Sequence, residues 1–116
     1  MESVARHLSL PISAVMTPFA LSDADELRTL FTEAGFEKVE IVPESTVVRF
    51  PEPERFVPLA VTSSAAAVPA FAQLEAPARA ALLEMVRGET EPTIRRYRDA
   101  DVVTFPMYAH VAVATR

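Results

Sequence analysis

The chain has 116 residues, 50% hydrophobic and 23% charged, with a formal net charge of −5, which describes one folded domain and not a disordered segment. The acidic balance gives no electrostatic reason to bind nucleic acid or an anionic membrane, and the absence of cysteine excludes disulfides and thiolate metal sites. Two glycines, Gly35 and Gly88, against ten prolines cannot build a glycine-rich nucleotide loop.

No apolar run approaches the ~20 residues of a membrane span. The start "MESVARHLSL" has an acidic second residue and no long apolar core, so it does not read as an export signal and a cytoplasmic protein is expected. Val4, Leu8, Ile12 and Val15 recur at helical spacing, interrupted by Pro11, so residues 1–20 are expected to form a helical arm or linker.

A better-marked helix is expected over residues 22–34. Ser22 is its expected N-cap, and Asp23, Asp25 and Glu26 put negative charge at the dipole's positive end. Leu27, Leu30, Phe31 and Ala34 form an apolar stripe. Gly35 takes the left-handed conformation that stops a helix, and Phe36 folds back on Phe31. Alternation of Val39 and Ile41 with Glu40, resumed by Thr46, Val48 and Phe50, predicts a strand over about 38–50, bent or broken at Pro43.

A helical region follows over about 53–97. Pro53 suits a first helical position, whereas Pro58 is costly inside a helix, a break is expected near Pro69, and Gly88 is expected near the end of the last apolar stripe. The final segment, about 101–114, is apolar on both faces apart from Thr104 and His110, the pattern of a strand covered on both sides. The fold class expected is therefore α+β: a small antiparallel sheet of strands 38–50 and 101–114, with helix 22–34 packed on it and a helical insertion, in one domain over residues 21–116.

The succession "PFALSDADELRTLFTEAGFEKVEI", "VVRFPEPERFV", a helical stretch and "VVTFPMYAHVAVATR" resembles the C-terminal part of class I S-adenosylmethionine-dependent methyltransferases, of the type related to ubiquinone and menaquinone biosynthesis. The resemblance spans residues 18–116. It implies a sixth strand after "AGF", a seventh returning antiparallel between the fifth and sixth, and inserted helices that cover a substrate pocket. In that family the cofactor is held by a glycine-rich loop after the first strand and an acidic residue after the second, and no residue here matches either. No catalytic, cofactor-binding or metal-binding residue is therefore assigned, and S-adenosylmethionine is expected only where a partner supplies the missing half.

Candidate substrate-pocket residues are Arg49, Phe50, Tyr108 and His110, the first two because that region borders the family's substrate cavity. The plainer readings favour a surface Arg49, a core Tyr108 beside Met107 and Phe105, and a His110 hydrogen-bonded within the sheet. His7 reads as a surface residue, and "RRYR" (residues 95–98) as a solvated helix face. With the fifth strand absent, the C-terminal strand keeps one neighbour at most, and its open edge invites pairing. A homodimer through about Val102 to Val113 is expected, the chain acting as a methyltransferase-related dimerising or binding module that does not catalyse alone. The alternative is the substrate-lid portion of a split or cut-down small-molecule methyltransferase, completed by another chain that carries the missing sheet.

Overall fold

A computed structural model describes all 116 residues. It is a mixed helix-and-sheet protein whose three strands form one antiparallel sheet. In chain order, α1 (Glu2–His7), α2 (Ile12–Val15) and a 3-10 turn (Thr17–Phe19) lead to α3 (Ala24–Glu33) and β1 (Lys38–Pro51). Then come α4 (Pro53–Ala65), α5 (Pro69–Ala72), α6 (Ala76–Tyr97), the two-residue β2 (Arg98–Asp99) and β3 (Val102–Thr115). The chain divides into two compact units: Met1–Pro18 with Arg49–Phe105, and Phe19–Val48 with Pro106–Arg116.

The first unit holds the core. Pro53, Val57, Val61 and Ala65 recur every four residues along one side of α4 and are all buried. Leu82 and Val86 form the matching stripe of α6, and Phe71 of α5 and Val68 close the cluster. Val4, Ala5 and Val15 belong to the same cluster. The expected arm is helical, but it does not behave as an arm: α1 packs against α2 and α6, because burying three small apolar side chains is worth more than leaving them in water.

Both internal prolines are tolerated. Pro58 lies one residue off the buried stripe and Glu54, whose carbonyl loses its donor, is exposed, so that carbonyl stays hydrated. Gly88 and Pro92 are likewise exposed, and α6 runs through both to Tyr97, the expected limit of the helical stretch. Ile94, beyond them, packs against the core and holds the last turns in place.

In the second unit, α3 begins one residue later than expected. Asp23, not Ser22, is the cap: its Oδ1 accepts from the backbone N–H of Asp25 at 2.8 Å and of Glu26 at 3.1 Å. These two bonds hold the Asp23 carboxyl below its ordinary range. The end follows the expectation: Gly35 has φ +87°, its N–H donates to Thr32, and that of Phe36 donates to Phe31, the Schellman arrangement. The Phe31 and Phe36 rings meet edge to face at 5.4 Å. Arg28 Nη1 donates to the Val39 carbonyl at 2.5 Å and fastens α3 to β1.

The half-buried positions of β1 change parity at Ile41–Val42, beside Pro43, as a local irregularity in a strand requires. β3 is the middle strand, bonded to β1 on one side and to β2 on the other. β2 covers only two of its residues, in the register Arg98↔Val103 and Asp99↔Val102.

Candidate functional site

The residues singled out from the sequence fall in different units. Arg49 and Phe50 belong to the first, Tyr108 and His110 to the second. Arg49 is exposed. Phe50 belongs to an aromatic row, edge to face with Phe56 at 5.5 Å; Phe56 meets Phe105 at 5.4 Å, and Phe105 meets Tyr97 at 6.5 Å. The row ties α4 and α6 to the strands and leaves Phe50 a packing role.

Tyr108 is 76% exposed and Met107 52%, so neither is a core residue. His110 is half-buried. Its Nε2 lies 2.9 Å from the Ser22 carbonyl; a carbonyl only accepts, so Nε2 carries the hydrogen. The bond therefore reaches the loop that starts α3, not a sheet neighbour. Nδ1 is buried without a partner. The arrangement anchors β3 to the α3 cap, and no general-base pair is formed with it.

Charged groups in the first unit gather in an open cleft between α4 and α6, lined by Glu54, Val57, Arg87, Glu91, Arg95 and Arg98 among others. Each of its arginines has a carboxylate: Arg87 with Glu84 at 2.5 Å, Arg95 with Glu91 at 2.7 Å, Arg98 with Glu54 at 3.1 Å. The hydrogen bonds with these arginines hold Glu84 and Glu91 below the ordinary glutamate range, and the bond to Glu84 raises Arg87. The cleft's cations are matched within the chain by exposed ion pairs, which contribute little to stability. The "RRYR" segment thus contributes three internal ion pairs, Arg98 also reaching Asp101 at 3.9 Å, and, through Tyr97, one end of the aromatic row.

Glu89 is a residue that sequence reasoning missed. It accepts from Ser3 Oγ at 2.5 Å and Arg6 Nη2 at 3.1 Å, and its Oε1 lies 2.8 Å from His7 Nε2. His7 is therefore engaged with α6 and is not a free surface residue. The bonds from Ser3 and His7 keep the Glu89 carboxyl below its ordinary range. Sequence separations above 80 residues leave no local signal of this cluster. No group of three or more histidines and carboxylates is arranged to hold a metal ion.

What remains is the sheet. Beyond Val103 no strand lies along β3 on the side away from β1. The one backbone hydrogen bond that reaches it from outside the strands, Glu37 N–H to Thr115 O at 3.1 Å, belongs to the β1 side. His110, Ala112 and Ala114 are half-buried, while Val111 and Val113 on the opposite face are 46% and 57% exposed. Between Val102 and Thr115 there is no Asp, Glu, Lys or Arg. An open strand edge with an exposed apolar face and no charge is what strand edges normally avoid.

No family model, curated protein or solved structure matches this chain.

No helix is long and apolar enough to cross a membrane.

Proposed function

We propose that the chain is a methyltransferase-derived assembly module: it has no S-adenosylmethionine site of its own, and it works by pairing the open edge of β3 with a strand of a second copy. The observation that carries the reading is the uncharged, unpartnered edge of β3. The methyltransferase origin rests on the sequence resemblance, supported by the return of β3 beside β1, the arrangement that the family's last two strands adopt. The open side of β3 is where the family's fifth strand would lie.

Two measurements test it. Light scattering on the purified chain at micromolar concentration is expected to give twice the chain mass; a stable monomer refutes the assembly reading. Calorimetric titration with S-adenosylmethionine is expected to show no binding; a tight, stoichiometric site refutes the reading that the chain is non-catalytic alone.

One observation favours a second reading. Pairing edge to edge leaves the face of Val111 and Val113 bare, whereas an α/β half with its own helices would cover edge and face together. In that reading the chain is the substrate-lid portion of a methyltransferase completed by another polypeptide, and S-adenosylmethionine binds only to the reconstituted pair.

A further inference from the structure

We infer that the dimer is built by antiparallel pairing of β3 with β3 of a second copy, with Val111 on the two-fold axis. This rests on the dimeric reading above and adds the partner strand and its register.

The two long strands carry opposite signals. β1, the outer strand of the sheet, bears Lys38, Glu40, Glu44 and Arg49, with Pro43 lacking a donor in its middle. Charges and proline of this kind prevent a further strand from adding. The open side of β3 bears neither charge nor any proline beyond Pro106. Pairing β3 with the β1 edge of the next copy would be head-to-tail and would grow without closing. The charges on β1 disfavour it, while β3 with β3 is self-complementary and closes as a dimer. Having no charged residue, β3 sets no like charges opposite one another in such a pair.

The register follows from which backbone groups are free. The Thr115 carbonyl is taken on the β1 side. Alternation along a strand then directs the backbone groups of Tyr108, His110, Ala112 and Ala114 to the open side. Pro106 has the same parity, so its missing N–H falls on the open side and ends the usable edge. The free segment is residues 107–115. Its greatest overlap with a two-fold copy pairs 108 with 114 and 110 with 112 through hydrogen bonds, and sets Val111 against Val111 in a non-hydrogen-bonded pair. Such pairs have Cα atoms about 4.5 Å apart, within the range a disulfide spans. The Val111 side chain points away from the face bearing His110, Ala112 and Ala114, so changing it leaves the α3 contact intact.

The test uses single cysteines in a chain that has none. Val111→Cys is expected to oxidise to a covalent dimer. Val113→Cys is not, because this register puts position 113 opposite 109 and the two cysteines roughly 14 Å apart. Val111→Lys, which opposes two ammonium groups, is expected to halve the mass seen by light scattering, whereas Val113→Lys keeps the dimer. Circular dichroism of each variant checks the fold. If the unmodified chain is a dimer but Val111→Cys fails to crosslink, or Val113→Cys crosslinks as readily, the β3 pairing is wrong while the assembly reading stands. If the unmodified chain is a monomer, both fall.

Discussion

Phe56 is the residue on which the junction between helices and strands turns, and its replacement tests how that junction is held. Its ring makes edge-to-face contacts on two sides, with Phe50 at 5.5 Å and Phe105 at 5.4 Å. Each such pair is worth about 0.5–1.5 kcal/mol beyond burial of area. Phe56→Leu keeps most of the apolar volume and loses both contacts, so it is expected to destabilise the protein by about 1–3 kcal/mol. Phe56→Ala adds the lost burial and a cavity, for about 3–5 kcal/mol in all. Against a total stability of roughly 5–15 kcal/mol, the alanine variant is left close to its unfolding threshold at room temperature. Urea denaturation followed by circular dichroism measures both changes, and with a slope of about 1–3 kcal/mol per molar the alanine variant's midpoint falls by on the order of 2 M. A double-mutant cycle of Phe56→Leu with Phe105→Leu isolates the contact, with an expected coupling of about 0.5–1.5 kcal/mol. If both single variants stay within about 0.5 kcal/mol of the unmodified protein, the aromatic row is not a structural joint, and Phe50 returns as a pocket candidate.

Val15→Ala tests whether the first residues are part of the core. Val15 is fully buried, and losing two carbons at about 0.8 kcal/mol each plus a cavity gives about 2 kcal/mol by urea denaturation, whereas Ile12→Ala, in the same short helix but 45% exposed, costs clearly less. Ala100 has φ +51° in the β2–β3 turn, so Ala100→Gly is expected to stabilise the protein by about 0.5–1 kcal/mol, read as a raised melting temperature. Glu89 has a folded pKa below its ordinary 4.5, so the stability it contributes is present above pH ~4.5 and is lost as pH falls through the lower folded value. Glu89→Gln is therefore less stable than the parent at pH 7, and the gap between the two in urea midpoint closes as pH falls through the lowered folded value; a gap that stays constant with pH refutes this.

The parts of the fold legible in the sequence were those decided locally. The α3 stop needs only Gly35, the Phe31 and Phe36 rings and two backbone bonds, all within a few residues. The strands at 38–51 and 102–115 announced themselves by alternation and by a long apolar run interrupted only by Thr104 and His110. The errors came where distant packing outweighs a local signal. Gly88 was expected near the end of the apolar stripe of α6, yet it and Pro92 face solvent and the anchoring of Ile94 carries the helix past both to the expected limit at Tyr97. Ser22 lost the cap to Asp23 because a carboxylate accepts two N–H bonds where a hydroxyl would satisfy them less strongly. For the candidate site, the open edge of β3 was expected from the resemblance, in which a fifth strand would lie there; the two-residue β2, which gives β3 a second neighbour at Val102 and Val103, was not expected, because so short a strand carries no alternation to read. The Glu89 cluster could not be read, because its members are joined only by the fold.

The distribution of burial links the assembly surface to stability. Every buried apolar residue lies in the first unit. The second unit has α3 on one face of a ribbon formed by the halves of β1 and β3, and α3 itself has no buried residue. Two strands with one helix bury too little to be more than marginal in water. Capping, the Phe31–Phe36 contact, the Arg28 bond to β1 and the His110 bond to Ser22 hold this unit locally, but each is worth only about 0.5–3 kcal/mol. A strand added along β3 would satisfy the edge backbone groups from Tyr108 to Ala114 and set Val111 beside an apolar cross-strand neighbour, while the face of Val111 and Val113 stays open. If the chain pairs as proposed, association and the ordering of this unit would be a single equilibrium, and its melting temperature would rise with protein concentration in a way that the first unit's would not.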